Sequence, residues 1–182
     1  MFHTFQISEG KGGEGETKTT GYGVVRVPED CQTLKEAVTR VEQDQRITTI
    51  ILGQGEHQID GNYLQISSAM KIVGRPDVPK EKIVVVGGIH FKKGIQENCH
   101  LQHLTLRKAG DDGVHGFSSF TMDDVLVEDC RWHGVFAYGT GVVGRCTNVE
   151  VRQCEECGVV AEDGASITLI GGKTTVHHNC TD

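Results

Sequence analysis

Four segments of this chain repeat one pattern, and that repeat restricts the possible folds more than any other feature. Leu104-Thr105-Leu106-Arg107-Lys108-Ala109 is followed by Gly113-Val114-His115-Gly116. Val125-Leu126-Val127-Glu128-Asp129-Cys130 is followed by Gly134-Val135-Phe136-Ala137. Val149-Glu150-Val151-Arg152-Gln153-Cys154 is followed by Gly158-Val159-Val160-Ala161, and Thr174-Thr175-Val176-His177-His178-Asn179 opens a fourth copy. From Leu106 to Val127 to Val151 to Val176 the spacing is about 21, 24 and 25 residues, a solenoid period. Each copy alternates in-out-in, turns, places a small residue at a corner, and resumes as Gly-in-out-in. Two strands this short bury no face alone. Stacked about 4.8 Å apart, they form parallel sheets around a narrow core.

Stacking turns the copies into columns. Leu104, Val125, Val149 and Thr174 form one; Leu106, Val127, Val151 and Val176 a second; Val114, Val135 and Val159 a third. Gly116, Ala137 and Ala161 form a small-residue column where the lumen tightens, and Ala109, Cys130, Cys154 and Asn179 a corner column. Outside, Arg107, Glu128, Arg152 and His177 predict a ladder of alternating charge, worth a few tenths of a kcal/mol per neighbour.

Upstream, Val24-Val25-Arg26-Val27 reads as a strand. Thr33-Leu34-Lys35-Glu36 fits a capping box, and Leu34, Ala37, Val38 and Val41 make one apolar helical face. A capping helix is expected over about 33–44. Short strands follow at Thr49-Ile50-Ile51-Leu52, His57-Gln58-Ile59, Leu64-Gln65-Ile66, Lys71-Ile72-Val73 and Ile83-Val84-Val85-Val86. Turns are expected at Gly53-Gln54-Gly55, Asp60-Gly61-Asn62 and Gly87-Gly88. Residues 1–23, rich in Gly and charge, read as a flexible tail, and 24–182 as one β-helix domain.

The 25 acidic residues outnumber the 18 Lys and Arg, for a net charge of -7. No basic stripe exists to follow a phosphate backbone, so a nucleic-acid partner is not expected. No apolar run is long enough to span a membrane. The N-terminus lacks a basic start and an apolar core, so a secretory signal is not expected. The seven cysteines then read as thiols in a reducing compartment, the cytoplasm, with secretion the alternative.

These features together resemble the right-handed parallel β-helix of the pectin-lyase-like superfamily. Ile50-Ile51-Leu52-Gly53-Gln54-Gly55-Glu56-His57 looks like the opening strand of pectin methylesterases and related β-helices, with His57 where Tyr is usual. The resemblance covers residues 24–182, and the later coils look most like short-repeat carbohydrate-binding and sugar-hydrolase β-helices. It implies an all-β, single-stranded parallel β-helix of about five to six coils, capped by one helix. The superfamily holds lyases, hydrolases, esterases, epimerases and plain binding modules, so the fold alone does not choose among them. The Gln-Ala-Arg stretch of the methylesterases is absent. Of the polygalacturonase motifs only Asp111-Asp112 is present, and Arg75-Pro76-Asp77 does not match the pectate-lyase pattern.

Three groups of residues carry possible chemistry. Asp111-Asp112, with His115 and with Arg131 or His133, could serve acid–base catalysis on a glycosidic bond or hold Ca²⁺ against a uronate. The competing expectation is a solvated Asp-Asp-Gly turn. Cys130, His133, Cys154 and Cys157 have zinc-like spacing. Column geometry sends Cys130 and Cys154 into the core, so no bound metal is expected there. Trp132, Phe136 and Tyr138 offer aromatic faces for a sugar ring or a protein, or packing under the 139–144 loop. The leading expectation is a non-catalytic module binding a glycan or protein through this face, with no cofactor. The alternatives are a small polysaccharide lyase, glycoside hydrolase or epimerase, and an assembly element that dimerises through an open C-terminal coil.

Overall fold

A computed structural model describes residues 23–180, so residues 1–22 of the expected tail lie outside the described residues. The chain is a parallel β-solenoid of about six turns with one short helix near its N-terminus.

Each full coil contributes to three sheets. The first stacks Val24–Val27, Thr49–Leu52, Lys71–Gly74, 99–102, 120–123, Val143–Thr147 and Ser166–Ile170. The second stacks 55–58, 83–86, 105–107, 126–128, Glu150–Arg152 and Thr175–His177. The third stacks 63–66, 88–91, Val114–Gly116, Val135–Tyr138 and Val159–Glu162. The repeat predicts only the second and third sheets, so two strands per coil is corrected to three. The first-sheet strands also alternate, pointing Leu101, Met122 and Cys146 into the core at 1% exposure or less.

The predicted columns hold in register. Leu106, Val127, Val151 and Val176 stack in the second sheet, and Val114, Val135 and Val159 in the third. At the corner, Asn179 Oδ1 accepts from the Cys154 N–H at 3.0 Å, so the amide caps the thiol column above it. The outer charge ladder forms over Arg107, Glu128 and Arg152, while its fourth member, His177, contacts Glu150 Oε1 at 3.3 Å instead. Glu128, 4% exposed, accepts from Arg107 Nε at 2.6 Å and from Arg152 Nη2 at 2.7 Å.

Two expected turns are not turns. Asp60-Gly61-Asn62 bulges inside the continuous strand Gly55–Ile66, where the register shifts between Gln58 and Tyr63. Gly87-Gly88 lies inside Ile83–Phe91, where one strand passes from the second sheet to the third. A solenoid corner is a change of direction within an extended chain, which glycine permits without a reversal.

The helix spans Leu34–Gln43 and buries Leu34, Ala37, Val38 and Val41. Thr33 Oγ1 accepts from the Glu36 N–H at 3.1 Å, the forward half of the capping box. The return bond differs from the motif: Glu36 accepts from the Gln32 N–H, one residue earlier. No helix among the described residues is long and apolar enough to cross a membrane.

Candidate functional site

The third sheet brings most of the singled-out residues to one outer face. Its strands point alternate residues outward, and register aligns Gln65, His90, His115, Phe136 and Val160 in one column. A second outward column carries Tyr138 beside Glu162, and Phe117 packs edge-on against Tyr138 with centroids 5.5 Å apart. The result is a continuous strip of rings. His115 stacks on Phe117 at 4.7 Å and meets Phe136 at 4.8 Å and His90 at 5.0 Å. Phe136 stacks on His133 at 5.6 Å and on Tyr138 at 6.2 Å. Trp132 stands at the rim, 55% exposed, and Tyr138 is 37% exposed.

Beside the strip lies an open groove of about 410 Å³, lined by Tyr63, His90, Asp111, Asp112, His115, Trp132, His133, Phe136 and Glu162. Among the described residues no lysine or arginine lines it. Its neighbour, a hollow of about 320 Å³, is lined by Phe117, Tyr138, Lys93, Thr140, Val142 and Asp163 among others. The 139–144 loop thus borders the aromatic face and leaves Tyr138 in solvent. A larger hollow of about 480 Å³ lies between the helix end and the 94–97 turn, and no aromatic residue among the described residues lines it.

Asp112 is the most enclosed group in the groove, 3% exposed. Its Oδ2 accepts from His115 Nδ1 at 2.8 Å and from the Tyr63 hydroxyl at 3.1 Å. Its Oδ1 accepts the His133 N–H of the next coil at 3.0 Å, and its own N–H donates to Tyr63 Oη. Burial alone would raise the Asp112 pKa, but the bonds from His115, His133 and Tyr63 outweigh it and hold the carboxyl below its ordinary value. The carboxylate therefore fastens adjacent coils together and fixes the His115 ring. With Nδ1 spent on Asp112, His115 Nε2 is shut from water and, like His133 Nδ1, has no hydrogen-bond partner among the described residues. Burial, followed by the neighbouring His115 and Lys92, keeps His90 below its usual pKa and favours the neutral ring. Burial also pushes the Tyr63 phenol far upward, so it stays protonated.

The other singled-out residues separate. Asp111 is half-buried, and its Oδ1 accepts from the Asp112 N–H at 3.2 Å. It lines the groove with Asp112, but the two carboxylates do not stand as an equally open pair. Arg131 is exposed; its backbone N–H bonds Ala109 O, and its side chain does not line the groove. Cys130 and Cys154 are buried at 0% exposure, whereas Cys157 is exposed. Among the described residues no group of three or more His, Cys, Asp or Glu is placed to hold a metal ion.

Tyr63, His90, Phe117 and Glu162 also belong to the face, although no motif in the sequence marks them. Three had a legible signal: His90-Phe91-Lys92 aligns with His115-Gly116-Phe117 once the third-sheet column is carried back one coil, and Glu162 follows Ala161 as Tyr138 follows Ala137. Tyr63 had none, because the bulge before it sets its register.

No family model matches the chain, no curated protein matches its sequence, and no solved structure matches it.

Proposed function

We propose that this chain is a non-catalytic glycan-binding module, a β-helix of the pectin-lyase-like kind that holds a saccharide along the outer face of its third sheet. One observation carries the proposal: the ring strip from His90 through His115, Phe117 and Phe136 to Tyr138 runs unbroken across successive coils. A pyranose has an apolar C–H face that packs on such rings, and hydroxyls that need acceptors. Asp111 and Glu162, both lining the groove, supply them. A solenoid repeats its outer side chains at about 4.8 Å, so a polymer of rings meets a repeated set of contacts. The absence of Lys and Arg among the described lining residues supports a sugar over a phosphate-bearing ligand.

The test is a titration of Trp132 fluorescence, this being the chain's single tryptophan, with neutral and acidic oligosaccharides. Saturable change with at least one glycan is expected. Phe136→Ala should weaken that glycan roughly threefold to tenfold, the scale of one lost aromatic contact of about 0.5–1.5 kcal/mol. No response across the panel from folded protein would overturn the proposal.

The Asp112–His115 bond of 2.8 Å favours a second reading, a polysaccharide lyase, hydrolase or epimerase acting on an acidic polysaccharide. It requires the Asp112 network to open on substrate, since His115, Tyr63 and the His133 N–H occupy the carboxylate at rest. New reducing ends or unsaturated-uronate absorbance, lost on replacing Asp111 and Asp112 by Ala, would establish it over simple binding.

A further inference from the structure

Five of the seven cysteines, Cys31, Cys99, Cys130, Cys146 and Cys154, are buried; Cys157 and Cys180 are exposed. These two are 23 residues apart in sequence, yet their sulfurs lie 3.9 Å apart. The stacking of coils explains the meeting. Cys157 ends the turn before Gly158, and its carbonyl accepts the Gly134 N–H at 3.1 Å. Cys180 follows the corner residue Asn179, and its N–H lies 3.0 Å from Cys154 O and 2.9 Å from Glu156 O. Backbone hydrogen bonds therefore hold the two turns together independently of the sulfurs.

We propose that Cys157 and Cys180 form an oxidation site, a dithiol that hydrogen peroxide converts into a disulfide between adjacent coils. A disulfide needs its sulfurs at about 2.05 Å, so the pair must close by about 2 Å, within reach of side-chain rotation at exposed positions. One thiolate attacks peroxide, the O–O bond breaks, and a sulfenic acid and hydroxide form. The second thiolate attacks that sulfur and expels the second hydroxide. Two S–H bonds are lost, one S–S bond is gained, peroxide takes up the two electrons, and two waters result.

The five buried thiols are shut from solvent. Burial pushes Cys99 up to about 11 and Cys146 up to about 12, leaving little thiolate, and neither is open to solvent. The consequence reaches the groove. Glu156, beside Cys157, donates its N–H to Trp132 O at 3.2 Å, so the disulfide would clamp the turn that supports the groove's rim.

The test uses the full chain, reduced, desalted and exposed to dilute peroxide, then followed by intact mass, native alkylation and peptide mapping. Before oxidation, alkylation should mark Cys157 and Cys180. After it, the mass should fall by two hydrogens, both sites should be blocked, and their peptides should be joined. Native proteolysis within 164–180 should slow, and dithiothreitol should reverse each change. Cys157→Ser and Cys180→Ser, both at exposed positions, should each abolish the mass loss while leaving circular dichroism unchanged. Persistence of the mass loss in either variant, oxygen addition without linkage, linkage only between separate chains, or no reaction would each overturn the proposal.

Discussion

At the scale of single residues, the groove depends on Asp112. Four of its hydrogen bonds tie Tyr63, His115 and the His133 turn, which belong to different coils. Asp112→Asn keeps the shape but removes the charge that His115 and the His133 N–H bond to. It should cost about 1–3 kcal/mol of stability, read by chemical denaturation. Titration of the wild type has a defined sign. The native Asp112 pKa lies below its ordinary 3.8, so its contribution is full above about pH 4 and fades as the pH falls through the lowered native value. His103 behaves oppositely. Burial opposes its charge, but its bonds to Asp124 at 2.6 Å and to Val78 O at 2.9 Å prevail and raise it above 6.5. Its contribution is complete below about pH 6.5 and declines as the pH rises through the raised value. Melting curves across pH should show both losses, with Asp112→Asn flattening the acid limb and His103→Ala the neutral one. The outward aromatics of the repeat, Phe136 and Tyr138, were legible in the sequence because Gly134-Val135-Phe136-Ala137 fixes which side each residue faces. Asp112's partner Tyr63 was not, because 49 residues separate them and only the bulge register brings them together.

At the scale of elements, the glycine just before the third-sheet strands Val114–Gly116, Val135–Tyr138 and Val159–Glu162 is a packing requirement. A Cβ on Gly134 would lie 2.2 Å from Val151 Cγ1 and 2.7 Å from Gly158 O, one of them backbone that cannot swing aside. Gly134→Ala should destabilise the chain by about 1–3 kcal/mol, measured by urea unfolding, with the coil count unchanged. At the helix, Thr33→Ala removes the acceptor for the Glu36 N–H and should cost about 1 kcal/mol. The helix boundaries and four buried positions follow from the 3.6-residue period and the cap. Of the first-sheet strands, Val24–Val27, Thr49–Leu52 and Lys71–Gly74 were legible as short apolar runs, whereas 99–102, 120–123 and Val143–Thr147 escaped. Their inward residues, Cys99 and Leu101, Phe120 and Met122, Gly144 and Cys146, share no side-chain type from coil to coil. The strands at 99–102 and 120–123 also run on into the next sheet. His103 and Asp124 turn that corner at φ 53° and 52° within unbroken strands, with no glycine or proline to mark it.

At the scale of the whole molecule, stability is close to a sum of coils and their nearest-neighbour contacts. Coils with neighbours on both sides keep Leu101, Leu106 and Val127 at 0% exposure, while Leu169 and Val176 in the last described coil are 44% and 42% exposed. Amide hydrogen exchange should therefore be slowest over 99–138 and fastest over 166–177. Uniform protection would mean that the coils unfold as one unit. The same repetition builds the aromatic face that we propose binds a saccharide: one ring per coil is a contact, and rings on successive coils are a track. The most direct test of that track is saturation-transfer NMR, irradiating the protein's aromatic protons in the presence of oligosaccharides. Transfer is predicted to the ring C–H protons of a bound sugar, and it should fall sharply in the Phe136→Ala, Tyr138→Ala double variant. Transfer that persists undiminished in that variant, or is absent for every oligosaccharide with the wild type folded, would contradict a saccharide on the third sheet.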